Sequence, residues 1–95
     1  MQAEAVWIDV RSSPEHKVNH IKGDLLISHT EIVDEFSKLF PNLEIEIHLY
    51  CRSGNRAGIA KSALNKIGYK NVFNEGSIED ARKARDLLKH SNKIN

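Results

Sequence analysis

Apolar residues fall along the chain in short runs whose spacing alternates between every second position and every third or fourth, as strands alternating with helices would give. Val6-Trp7-Ile8-Asp9-Val10 is β-branched and aromatic and predicts a buried strand ending at Arg11. Ser13, Pro14 and Glu15 then offer an N-cap, a proline at the first helical position and an acid in the first turn, so a short helix is expected there, ending before Gly23. Leu25-Leu26-Ile27 predicts a second short strand. Ser28 and Glu31 have capping-box spacing, and the helix they open should bury Ile32, Val33, Phe36, Leu39 and Phe40 before Pro41 and Asn42 close it.

Ile45, Ile47 and Leu49 alternate with Glu46, His48 and Tyr50, which predicts a strand with one wetter face running straight into Cys51. After the polar stretch Arg52-Ser53-Gly54-Asn55-Arg56, Ile59, Ala60, Ala63, Leu64 and Ile67 recur at helical spacing until Gly68, a natural C′ residue. Val72-Phe73 predicts a further strand. Glu75-Gly76-Ser77 leads into a last helix with Ile78, Ala81, Ala84, Leu87 and Leu88 inward and a solvated basic face of Arg82, Lys83, Arg85 and Lys89. This order predicts one α/β domain over residues 1–95, with a largely parallel central sheet flanked by helices on both faces. Ligands of such sheets bind beyond the carboxyl ends of the strands, which is where Cys51 lies.

Charge narrows the function classes. With 14 basic and 13 acidic residues and a net charge of +1, the chain lacks the broad positive footprint expected of a nucleic-acid or anionic-membrane binder. No stretch approaches the roughly 20 apolar residues of a membrane span. The first residues, Met1-Gln2-Ala3-Glu4-Ala5, lack the basic-then-apolar pattern of a secretory signal. One cysteine cannot form an internal disulfide, and it concentrates all thiol chemistry at Cys51.

A cysteine between a strand and a helix, with Gly54 to let the backbone curl, can be ringed by amide N–H groups aimed at its sulfur. The positive end of the following helix adds to that field, and together they favour the thiolate, the nucleophilic form. Arg52 and Arg56 bring fixed positive charge to the same few residues, suited to holding a small dianion. A strand-end loop is expected to leave the sulfur partly open to water.

Leu49-Tyr50-Cys51-Arg52-Ser53-Gly54-Asn55-Arg56-Ala57 resembles the active-site segment of single-domain rhodaneses. Trp7-Ile8-Asp9-Val10-Arg11 resembles that family's opening strand, and Glu15-His16 with His20-Ile21-Lys22-Gly23 its next two segments. Gly68-Tyr69-Lys70-Asn71-Val72 and Glu75-Gly76-Ser77-Ile78 resemble its late strand and turn. The resemblance implies a rhodanese fold and transfer of sulfane sulfur through a persulfide on Cys51. The donor would be a small sulfur-bearing anion such as thiosulfate, cradled by Arg52, Ser53, Gly54, Asn55 and Arg56. It implies no cofactor and no metal. With no second cysteine, the acceptor must be cyanide or an external thiol.

Asn19, Asp24 and Ser77 depart from the family's usual glycine, alanine and glycine, and Ser77 bears on the pocket rim. The absence of an aromatic residue after the turn resembles the phage-shock type of small exported rhodaneses, which together with the abrupt start points to a periplasmic protein, with a cytoplasmic setting as the alternative; a monomer is expected. Phosphatases and arsenate reductases are disfavoured: in a phosphatase loop the arginine would fall where this chain has Ala57, and Arg56 comes one residue early. A binding module on the same fold is the other alternative, although such modules commonly lack the cysteine.

Other candidate residues read more simply as structural. His16 and His20 share a helix face but lack a third metal ligand. His48, an odd number of residues before Cys51 on a strand, should point to the opposite face and cannot pair with it. Asp9 and Arg11 read as an ion pair holding neighbouring loops, and the arginines of the loop could instead pair with Asp9 or Glu75.

Overall fold

The computed structural model describes residues 5–85. Strands β1 (Ala5–Asp9), β2 (Leu25–Leu26), β3 (Glu46–Cys51) and β4 (Asn71–Ser77) alternate with helices α1 (Ser13–Val18), α2 (Ile32–Leu39) and α3 (Asn55–Lys66). A further helix, α4, occupies residues 78–85. Leu87, Leu88 and Lys89, expected on that helix, lie outside the described residues.

The four strands form one parallel sheet in the order β2-β1-β3-β4. Burial on both sides explains why β3 is central and carries Ile47, Leu49, Tyr50 and Cys51 with no exposed surface. On one face, Ile32 and Phe36 of α2 and Ala57, Ala60 and Leu64 of α3 close over Ile8, Ile47 and Leu49. On the other face, Ile78 and Ala81 of α4 pack with Tyr50, Trp7 and Ile21. Trp7, His48 and Phe73 lie side by side in register there, with ring centroids 4.3 Å and 5.3 Å apart.

Several local expectations are corrected. The cap of α1 is Ser12 rather than Ser13: its side chain accepts from Glu15 N and Glu15 returns a bond to the Ser12 N–H. Ser28 does not cap α2; its hydroxyl pairs with Thr30, and the helix starts at Ile32 with no side-chain cap. Leu39 is 57% exposed and Ile59 is 52% exposed. α3 instead turns Ala57, Ala60 and Leu64 to the sheet, and the two alanines let its backbone lie close to β3.

The basic face of α4 is not simply solvated. Arg85 packs 3.9 Å above the Trp7 ring and bonds Asp24 at 2.8 Å, while Arg82 donates to Asn19 Oδ1 and to the His20 carbonyl. Both arginines tie the last helix to the segment after α1.

Candidate active site

Cys51 is the last residue of β3 and has no exposed surface, so the expected partial openness to water is corrected. Its sulfur sits inside the turn that follows. Gly54 N–H donates to Cys51 Sγ at 2.9 Å and Ala57 N–H at 3.4 Å. Ala57 is the third residue of α3, and no side chain caps that helix. The sulfur therefore takes the place of an N-cap oxygen, and the partial positive charge of the helix end falls on it. Such an arrangement aims two N–H donors and a helix end at a single sulfur atom.

The turn is shaped from β4. The register between β3 and β4 shifts between Leu49 and Cys51: Leu49 pairs with Asn74 and Cys51 with Ser77, leaving one extra residue on β4. That bulge brings the Gly76 backbone so close that a Cβ on Gly54 would stand 3.3 Å from Gly76 Cα, and Gly54 is left-handed with φ +94°. Asn74 spans the gap, donating from Nδ2 to Gly54 O at 2.9 Å and accepting from Gly76 N at 2.9 Å. Ser77 then caps α4, bonded reciprocally with Asp80. The Ser77 backbone N–H, followed by the Ser77 side chain, holds the Asp80 carboxyl below its usual range.

The loop residues have unequal surroundings. Arg52, Ser53 and Asn55 are exposed, Gly54 and Arg56 are half-buried, and of these five only Gly54 donates to the sulfur. Arg52 lines an open cleft of about 650 Å³ whose other walls include Arg11, Pro14, Glu15 and Ile78. Arg56 faces neither Asp9 nor Glu75. Its Nη1 and Nη2 grip Glu15 Oε1 and Oε2 at 2.7 and 2.9 Å. This fork, followed by the Ser12 N–H, holds the Glu15 carboxyl well below its ordinary range, and Glu15 in turn raises the guanidinium of Arg56.

Behind the cleft, Asp9 accepts two bonds from the Arg11 side chain, at 2.9 and 2.7 Å, and one from the Arg11 backbone. That hydrogen-bonded pairing raises the already high value of Arg11 and marks it as a structural ion pair, as the sequence suggested. His48 lies on the face opposite the sulfur, bonded to Glu46 and Glu75 at 2.6 Å each. His16 and His20 stack with centroids 4.2 Å apart, and no metal-binding cluster of His, Cys, Asp or Glu occurs among the described residues. Asn74 escaped sequence reasoning, since nothing local marks a strand asparagine as a loop anchor. The Ser77 to Asp80 spacing was a readable cap signal.

The profile of the rhodanese-like domain family matches residues 1–84, and the chain belongs to that family. It is 34% identical over 89 residues to a tRNA uridine(34) hydroxylase of Erwinia tasmaniensis, a match covering 87% of this chain and 25% of that protein. It is 36% identical over 80 residues to a Schizosaccharomyces pombe protein named "Putative thiosulfate sulfurtransferase, mitochondrial", covering 73% of this chain and 56% of that one. The chain thus spans a quarter to just over half the length of these curated relatives. Among solved structures, a rhodanese with anions from Escherichia coli superposes with a TM-score of 0.72 at 31% identity, covering 80% of this chain and 89% of that one. The fold is that of a rhodanese, and its relatives include sulfurtransferases.

Proposed function

We propose that this chain is a sulfurtransferase that takes sulfane sulfur from thiosulfate, or a donor of the same kind, onto Cys51 and passes it to cyanide or an external thiol. The observation that carries the reading is the pair of N–H groups, from Gly54 and Ala57, converging on Cys51 Sγ at the head of α3. In the first half-reaction the Cys51 thiolate attacks the outer sulfur of thiosulfate, the S–S bond of the donor breaks, and sulfite leaves with the bonding pair. In the second, cyanide or a thiolate attacks the terminal sulfur of the persulfide. The Cys51 sulfur then leaves with the pair and returns to the amide donors.

The loop Arg52-Ser53-Gly54-Asn55-Arg56 encloses the transferred sulfur, and its exposed part faces the incoming donor. Because Cys51 has no exposed surface, the loop and its rim must part for a donor to reach it. A small anion is better suited to that passage than a bulky ester, in keeping with the short loop. Incubation with thiosulfate should add one sulfur atom to the intact mass, cyanide should remove it as thiocyanate, and Cys51→Ser should do neither. A Cys51→Ser variant that still forms thiocyanate at the wild-type rate would refute the assignment.

A second reading follows from the tRNA uridine(34) hydroxylase relatives, of which the chain matches only a quarter: the domain as one component of a tRNA-modifying protein. Failure to gain sulfur from thiosulfate would favour it.

A further inference from the structure

Resting on the sulfurtransferase reading, we propose that the two arginines of the loop divide the work: Arg52 alone attracts the donor anion, while Arg56 is a positioning residue that Glu15 locks in place to keep the Ala57 N–H on the sulfur. The loop sequence alone presents them as equivalent cations. Their surroundings differ in kind.

Arg56 is the second residue of α3, directly before the residue whose amide meets Cys51 Sγ. Both terminal nitrogens of its guanidinium are engaged by one carboxylate, 41 residues away in sequence. The fork that would grip a sulfonate is already filled, and the pair carries no net charge, so its attraction for a dianion is largely cancelled.

Glu15 is itself held by Ser12 as well. Its Oε1 accepts from Ser12 N at 3.0 Å and from Ser12 Oγ at 2.9 Å, within the capping box of α1. Ser12 follows Arg11, which is buried and fixed to Asp9. A continuous set of bonds therefore leads from the end of β1, through the cap of α1 and the Glu15 carboxylate, to the first turn of α3. Asn74 fixes the other donor, reaching the loop at the Gly54 carbonyl.

Arg52 has none of this. It is exposed, it lines the cleft, and no carboxylate pairs with it among the described residues. Of the two loop cations it is the one with an unfilled fork.

The test is a comparison of Arg52→Gln, Arg56→Gln, Glu15→Gln and the Arg56→Gln/Glu15→Gln double variant in thiosulfate-to-cyanide transfer. Arg52→Gln should raise KM for thiosulfate about tenfold with kcat nearly kept, and should flatten the dependence of KM on ionic strength. Arg56→Gln and Glu15→Gln should each lower kcat by about tenfold or more, with KM within about twofold, because a displaced donor impairs the reacting geometry rather than the encounter. The double variant should be no worse than either single, as expected of residues acting as one unit. Hydrogen exchange of the Ala57 amide, read without any donor, should quicken in both brace variants and stay at the wild-type rate in Arg52→Gln. Glu15→Asp, which keeps the charge, should recover part of the lost kcat.

A rise in KM for Arg56→Gln with Glu15→Gln behaving as wild type would overturn the proposal and make Arg56 a donor ligand. If the wild type takes no sulfur from thiosulfate, the sulfurtransferase reading fails by itself. The brace then stands or falls on Ala57 exchange.

Discussion

Adding one methyl group at Gly54 or at Gly58 should move stability in opposite directions. Gly54 adopts φ +94°, a left-handed conformation that costs an L-residue about 1–2 kcal/mol. The added Cβ would also lie 3.3 Å from Gly76 Cα, and because that atom is backbone, held by Asn74, relief requires the bulge to shift, at about 1 kcal/mol. Gly54→Ala should thus lose about 2–3 kcal/mol, lowering Tm by about 8–24 °C for a domain of this size. Gly58 sits inside α3, where a Cβ would meet only Asn74 Nδ2 at 3.5 Å, an ordinary contact. Gly58→Ala should therefore gain about 0.5–1 kcal/mol, since glycine is a poor helix former and loses more chain entropy on folding. Urea unfolding at matched m-values measures both. Equal losses in the two variants, or no loss at Gly54, would show that the left-handed turn and its close approach to β4 do not constrain the loop.

Acid should weaken the fold through Glu15. Its folded-state value is depressed below the ordinary 4.5, so the unfolded chain takes up a proton first and the stabilisation, complete above that value, is lost as pH falls. The urea midpoint should drop less between about pH 5 and pH 3 in Glu15→Gln than in the wild type, and parallel curves would show that the Arg56 pair contributes nothing. Tyr50→Phe should cost about 1–2 kcal/mol in urea, because the buried hydroxyl that donates to Asp24 Oδ2 at 2.6 Å is removed. Burial, followed by that bond to Asp24, pushes the Tyr50 phenol well above its ordinary value, so an alkaline absorbance titration should show one tyrosine ionising only on unfolding. Arg85→Ala should change the emission of the chain's one tryptophan, Trp7, by removing the guanidinium stacked on it; an unchanged spectrum would place Arg85 elsewhere in solution.

The alternation of strands and helices, the position of Cys51 at a strand end and the separation of His48 from it were all legible, because each depends on short-range periodicity. Errors arose where two local solutions compete. Ser12 and Ser13 are adjacent potential caps, and only the reach of Glu15 back to the Ser12 N–H decides between them. Ile59 on α3 and Ile67 just past its end continue the helical spacing of the apolar residues, yet the sheet takes Ala57, Ala60 and Leu64. Pairing across long stretches of chain left no sequence signal: Glu15 with Arg56, Asp24 with Arg85 and Asn74 with Gly54 are each chosen by topology. Hence the loop could be read as a candidate site, while the unequal surroundings of its two arginines could not.

Every strand pairing in this sheet is parallel, so each must wait for an intervening crossover before it forms. The surroundings of Cys51 are gathered from β1 and the cap of α1, from the head of α3 and from the bulge of β4, and no fragment of the chain holds them together. Until the last of these docks, the sulfur is an ordinary thiol on an open chain, exposed to peroxide and to mixed disulfides. Folding is then also the step that shields this sulfur, and oxidation of Cys51, read by intact mass, should follow the time the chain spends unfolded more closely than the age of the folded protein.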